Sequence, residues 1–303
     1  MHDSTVARSQ ITNGWLLHAL GTVLLWGVWG AIIGLPTERG VPDTINYVVW
    51  SLTMIPVAAI ALRMGGQRLL RDRRSIVLGL SIGLLGAGGQ LILFKAVQLG
   101  PPYLIFPIIS LSPAVTIAMS FAMLRERTGR FGVLGIALAL LSLPLFDYRV
   151  TGDPIGYGAW LPMSLLVMAA WGGQAYIIKL ANATMDSASI FYYMMLGGLL
   201  VAPIALLMTD YSKPINYSLD GVGLAAAIQA LNAIGALTLV IALRRGKAII
   251  VSPLVNAGAP LLTAVISLAL TGVAPGPLKI AGIALALAAA LLLALQSEEP
   301  VQA

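Results

Sequence analysis

Gly135-Ile136-Ala137-Leu138-Ala139-Leu140 recurs letter for letter as Gly282-Ile283-Ala284-Leu285-Ala286-Leu287, an offset of 147 positions. At the same offset Pro113 meets Pro260 and Thr116 meets Thr263. Working outward, Trp26-Gly27 has a counterpart in Trp171-Gly172 at an offset of 145. Two prolines fall in each of the matching apolar runs, Pro107 with Pro113 and Pro253 with Pro260, although their spacing differs by one residue. Alanine-leucine strings recur by chance in apolar sequence, but aligned prolines and Trp-Gly pairs do not arise so easily. The chain reads as two copies of one unit.

Composition says what the unit is made of. Of 303 residues, 58% are hydrophobic and 10% charged, with a mean hydropathy of +0.91; an ordinary soluble domain carries about 25% charged residues. Runs of helix length, bounded by charges, Pro-Gly pairs and Asn/Asp clusters, predict spans near 14–34, 44–63, 75–99, 103–124 and 131–148, then 157–180, 188–208, 221–243, 248–270 and 278–296. Such runs exclude a porin-type barrel, which needs short alternating segments, and the low charge excludes disorder. The fold class is therefore an all-α integral membrane protein with ten transmembrane helices. Five spans per copy is an odd number, so the second copy enters the membrane the opposite way up, as two inverted five-helix repeats. The expected units are a cytoplasmic tail at 1–13, a first repeat at 14–150, a second at 151–296 and a cytoplasmic tail at 297–303.

Thirteen Lys and Arg fall on the side of the amino terminus, among them Arg68, Arg71, Arg73 and Arg74, and four on the other. This bias places both termini in the cytoplasm. The net charge of +6 accordingly reports topology and not a nucleic-acid partner. The polar start, followed by a run too long for a signal-peptide core, reads as an uncleaved first span. With no cysteine and only His2 and His18, neither a metal cluster, a Ser-His-Asp triad nor a thiol nucleophile can be assembled. No enzyme chemistry, cofactor or metal is expected.

Leu25-Trp26-Gly27, the segment from Gly100-Pro101 through Ser112-Pro113, Glu126 closing the fourth span and Gly135 opening the motif of the fifth together resemble the EamA-like branch of the drug/metabolite transporter superfamily. The likeness runs from about 15 to 295. Val273 stands where the second copy would repeat Glu126, which breaks the pattern there. The resemblance implies a secondary transporter of small metabolites, often an exporter of amino acids, with relatives that move sugars, nucleotide sugars or drugs.

Candidate site residues follow from what hydrocarbon penalises. A helical proline frees the carbonyl four residues back; here those of Tyr103, Ile109, Ile249 and Asn256, so Pro107, Pro113, Pro253 and Pro260 mark candidate breaks and gates. A harmless kink is the plain alternative. Trp15, Trp160, Tyr211 and Tyr217 lie where an interfacial belt belongs, whereas Trp26 and Trp171 fall mid-span, where an indole N–H needs a partner. Packing, or sandwiching an amphipathic solute, are the two readings of that pair. Gln90, Gln174, Gln229, Asn232 and Asn256 are amides inside apolar spans and must face inward, joining helices or a solute. Gly79 and Gly83 have helix-packing spacing. No Asp or Glu falls in a span core, so a buried carboxylate relay is absent. Lys95 either snorkels to the outer interface or meets a substrate carboxylate, and Glu126 is a solvated helix end or a latch.

The expected substrate-binding set is Trp26, Trp29, Gln90, Tyr103, Trp171, Gln174, Asn232 and Asn256, around a chamber that accepts a neutral or zwitterionic solute. The expected function is alternating-access export of a small metabolite across a bacterial-type inner membrane, with lipid as the surrounding partner and room for a homodimer. Nutrient uptake, such as sugar, remains open, as does a non-transporting scaffold or sensor.

Overall fold

The structure, a computed structural model, describes residues 3–66, 68–124, 129–147, 158–245 and 248–295. Its helices are α1 (Asp3–Ile32), α2 (Leu35–Glu38), α3 (Asp43–Gly65), α4 (Arg73–Leu99), α5 (Pro102–Ile109), α6 (Ser112–Leu124), α7 (Arg130–Asp147), α8 (Trp160–Ala181), α9 (Ser187–Leu207), α10 (Leu224–Arg245), α11 (Ala248–Thr271) and α12 (Pro277–Leu295). Eight stretches are long and apolar enough to cross a membrane, α5 and α6 together making one of them. The helices α7 and α12 have shorter apolar windows, but with 18 and 19 residues they extend about 27 to 28 Å, close to a hydrocarbon core. The ten predicted spans are all found. The first helix, α1, begins at Asp3, within the segment expected as a tail.

Local chemistry ends the helices where the sequence changes character. Asp72 caps α4 by accepting from the Ser75 N–H at 3.0 Å, and Asp186 caps α9 by accepting from the Ser189 N–H at 2.8 Å. The hydrogen bonds from Ser75 hold the Asp72 carboxyl below the usual carboxylate range. A lowered carboxyl contributes its stability above its unfolded-state pKa and loses it as pH falls through the folded value, so this cap is intact at neutral pH. At the far ends of α3 and α11, Gly66 and Gly272 both adopt φ of +63°, the left-handed turn that only glycine enters without strain.

The most extensive pairings cross between the halves: α4 with α8, α1 with α10, α7 with α12, α1 with α11, α4 with α9 and α3 with α9. Their directions are readable from the contacts. Along α4, Ile82 and Gly86 receive bonds from Gln174 and Trp171 respectively, so α4 and α8 are antiparallel. Along α1, Thr22, Trp26 and Trp29 meet Gly235, Asn232 and Gln229 in turn, so α1 and α10 are antiparallel as well. Two five-span units of opposite orientation give this pattern. It also pairs Pro56 of α3 with Pro203 of α9, a further proline match at the 147 offset that the sequence reading passed over.

Glycines set the closest approaches. A methyl group at Gly27 would lie 2.7 Å from Leu262, and one at Gly172 2.5 Å from Val115; Leu262 and Val115 are themselves repeat equivalents. Above these contacts Thr263 donates to the Gly27 carbonyl at 3.1 Å and Thr116 to the Gly172 carbonyl at 2.9 Å. The threonines and Trp-Gly pairs noticed in the sequence are thus the two ends of one contact, made twice. Outside this frame Leu24, Leu84, Leu140, Leu166 and Leu200 are exposed, the surface that lipid covers.

The proline pairs do not act alike. In the first copy the span breaks at Ser110 and Leu111 between α5 and α6, whereas α11 continues through Pro253 and Pro260 as one helix. The break is stabilised by serines: Ser110 donates to the Pro107 carbonyl at 2.6 Å, and Ser112 donates to the carbonyl of Ile109. That carbonyl, freed by Pro113, is therefore already occupied and is not left over for a solute.

Candidate functional site

The polar groups of the interior gather on α10. Trp29 of α1 donates its indole N–H to the Gln229 side-chain oxygen at 2.8 Å. Trp50 of α3 donates to the Asn232 side-chain oxygen at 3.0 Å, and Trp26 of α1 donates to the Asn232 backbone carbonyl at 3.0 Å. Three indoles from two helices converge on two amides one helical turn apart. Trp29 also meets Phe106 of α5 edge to face, with ring centroids 5.9 Å apart.

The opposite copy holds the equivalent feature in simpler form. Trp171 of α8 donates to the Gly86 carbonyl of α4 at 3.3 Å. A methyl at Gly89 would lie 2.6 Å from the Trp171 Nε1, and one at Gly235 2.5 Å from that of Trp26. Each mid-span indole therefore sets its pyrrole edge against a glycine and bonds the carbonyl three residues before it. Their N–H groups are satisfied, which answers the cost of placing them mid-membrane.

Gln174 is 8% exposed and donates to the Ile82 carbonyl at 3.0 Å. Gln90 is 4% exposed, and its nitrogen is buried without a hydrogen-bond partner, as is that of Gln229. Tyr103 is buried at the start of α5, in the same core as Trp29, Phe94 and Trp160. Asn256 differs from all of these, being exposed. The buried face of α11 carries Val255, Ala259, Thr263 and Ser267, and its lipid face Leu261 and Val265. At 3.6 residues per turn Asn256 lies about 140° around from Leu261, among the buried positions. Asn256 is thus exposed although it shares a helix face with buried positions.

Burial along α5 completes the geometry. Every residue from Tyr103 to Leu111 is buried, so this segment is enclosed on all sides, between α8 and α11. It lies at the end of the bundle away from the chain termini. Its repeat equivalent, the first part of α11, begins at the end nearer the termini and carries the exposed Asn256. The two copies share a sequence plan and differ in packing: Ile109 is buried, and its equivalent at the 147 offset, Asn256, is exposed.

With this arrangement established, the sequence profile of the EamA-like transporter family matches residues 13–146 and again 158–295. The chain belongs to the EamA-like transporter family. Membership places it in the drug/metabolite transporter superfamily and makes it a multi-pass membrane transporter. One solved structure, titled only "Crystal structure of protein", superposes with a TM-score of 0.59 at 19% identity, covering 93% of this chain and 98% of that one; it shares the EamA-like fold. No curated protein matches the chain.

Lys95 Nζ lies 3.7 Å from the Asp43 carboxylate, an ion pair that ties α4 to the first turn of α3 at the outer rim, where Asp43 also faces a helix N-terminus. Lys95→Met should accordingly shift stability by no more than ~1 kcal/mol, the range of exposed pairs, and leave flux unchanged, as thermal melts and transport assays would record. Trp160 does not belong to an interfacial belt: it is 4% exposed and packs on Gly100, while Tyr211 and Tyr217 are exposed. Glu126 lies outside the described residues. Trp50 was missed from sequence, because nothing along α3 announces that its partner is an amide 182 positions away.

Proposed function

We propose that the chain is a secondary transporter of small neutral or zwitterionic metabolites, an exporter of amino acids or related compounds, working by alternating access in a bacterial-type inner membrane with both termini cytoplasmic. The observation that carries this reading is the unequal packing of equivalent segments. Tyr103 to Leu111 is enclosed while Asn256, on the inward face of α11, is open. In an inverted duplication each copy can adopt the other's packing, and exchanging them moves the opening from one side to the other. Indole faces of Trp26 and Trp171 supply apolar contact, and the amides of Gln90, Gln174, Asn232 and Asn256 orient a polar head. Few charges lie in the spans to compensate an ion, which favours a solute without net charge. The direction of transport rests on the family likeness.

Proteoliposomes loaded with a panel of labelled amino acids test the proposal. Label should leave faster with the protein than without it for at least one member. Equal leak rates across the panel would count against export, and concentrative entry of labelled sugars would replace it with uptake.

A further inference from the structure

The amides of Gln229 and Asn232 have only one orientation open to them. An indole N–H donates and cannot accept, so the atom that Trp29 meets at 2.8 Å on Gln229, and the atom that Trp50 meets at 3.0 Å on Asn232, must be the amide oxygens. Both oxygens are thereby engaged, and both side chains turn their NH2 groups away from the tryptophans. The Gln229 nitrogen is fully buried with no partner. Among the described residues none takes up the Asn232 nitrogen, whose side chain is half-buried. A buried donor left empty is costly, and the buried NH2 of Gln229 with the half-buried NH2 of Asn232, a turn apart on α10, form a fork that hydrogen-bond acceptors can fill.

The duplication sharpens the point. At the offset that matches Asn232 to Gly86, Gln229 matches Gly83, so α4 carries two glycines where α10 carries the fork. Trp29 in turn is matched by Gln174, which spends its own nitrogen on the Ile82 carbonyl and keeps its oxygen. The frame is symmetric and the polar groups are not. From this we infer that Gln229 and Asn232 form a carboxylate-reading fork: the substrate is a carboxylic acid, and the fork selects it over the same molecule lacking that group. The inference rests on the transporter reading for its place in the chamber, and it adds the substrate's anchoring group. Asn232, the half-exposed member, meets the acid first. Gln229 lies behind it, beside Trp29 and Phe106, and becomes reachable as the enclosed segment of α5 withdraws.

The test uses the full chain in lipid nanodiscs and three matched sets of probes: alanine, leucine and phenylalanine, each with its amino alcohol and its decarboxylated amine. Tryptophan emission reports binding directly, since Trp29 and Trp50 sit on the amides. Wild type should bind the acids more tightly than the alcohols or amines. Asn232→Asp keeps the oxygen for Trp50 but puts a second oxygen where the NH2 was. It should weaken acid binding about tenfold or more, the scale of a lost hydrogen bond to a charged group, and leave the amines bound as before or better. Gln229→Met, of similar volume, should weaken the acids selectively, with its melting temperature recorded alongside. The inference is overturned if wild type binds none of the acids, if it binds acids no better than amines, or if the variants weaken acids and amines alike. Should the acids bind in the expected pattern yet fail to cross proteoliposome membranes, the fork stands and the transport proposal falls.

Discussion

Gly83→Val should yield almost no folded protein. At this position α4 crosses α9 so closely that a methyl group on Gly83 would collide with the Tyr193 backbone carbonyl and lie 3.1 Å from the Gly197 Cα. A methyl on Gly197 would in turn strike the Gly83 backbone. Neither obstacle is a side chain that can rotate away, so the helices must part. Parting them also loosens Tyr193, whose hydroxyl donates to the Leu70 carbonyl at 2.7 Å and whose ring lies over Gly79. Overpacking a core costs typically ~1–3 kcal/mol when side chains can adjust; a backbone collision belongs above that range. Gly88→Ala is the control, because nothing lies within 4 Å of a methyl there. It should be neutral or stabilising by up to ~1 kcal/mol, since alanine favours a helix interior over glycine. Yield of monodisperse protein in detergent and its melting temperature distinguish the two. Normal folding of Gly83→Val would mean that α4 and α9 do not cross here.

The second large effect concerns accessibility. The chain has no cysteine, so single cysteines can be read against a silent background. Asn256→Cys should react promptly with a membrane-impermeant maleimide applied on the side of the termini. Ile105→Cys, at a position with 0% exposure, should be protected from both sides at rest. When transport is driven, Ile105→Cys should gain reactivity from the opposite side while Asn256→Cys loses it. Fixed reactivity at both positions during demonstrated flux would rule out exchange of packing between the two copies.

Much of this architecture could be read from sequence, for definite reasons. Span number is set by hydrocarbon thickness, which turns into a run length that can be read locally along the chain. The duplication was visible because prolines and Trp-Gly pairs are rare enough to align. Partnerships were not visible. Helices hydrophobic on most faces give no sign of which neighbour each prefers, so the crossing of Gly83 with Gly197, the ion pair of Lys95 with Asp43 and the bond from Trp50 to Asn232 emerge only in three dimensions. Asn232 was singled out because an amide in hydrocarbon needs explaining. Trp50 was not, because it has no tryptophan counterpart in the second copy, as Trp26 has in Trp171. The unequal fate of the proline pairs was also hidden: Ser110 and Ser112 stabilise the break in the first copy, and Ala257 and Ala259 at the matching positions of the second carry no hydroxyl.

The interlocking of the halves bears on how the chain is made. Since α1 leans mainly on α10 and α11, and α4 on α8 and α9, the first five spans have little to pack against until the later ones have been inserted. During synthesis the early helices must wait in the bilayer, individually stable but unassembled, and tertiary structure arrives late and almost at once. Expressed alone, either half would present its glycine-lined seams to lipid and to the cell's proteolytic surveillance, whereas the two halves supplied together as separate polypeptides have all they need to find each other.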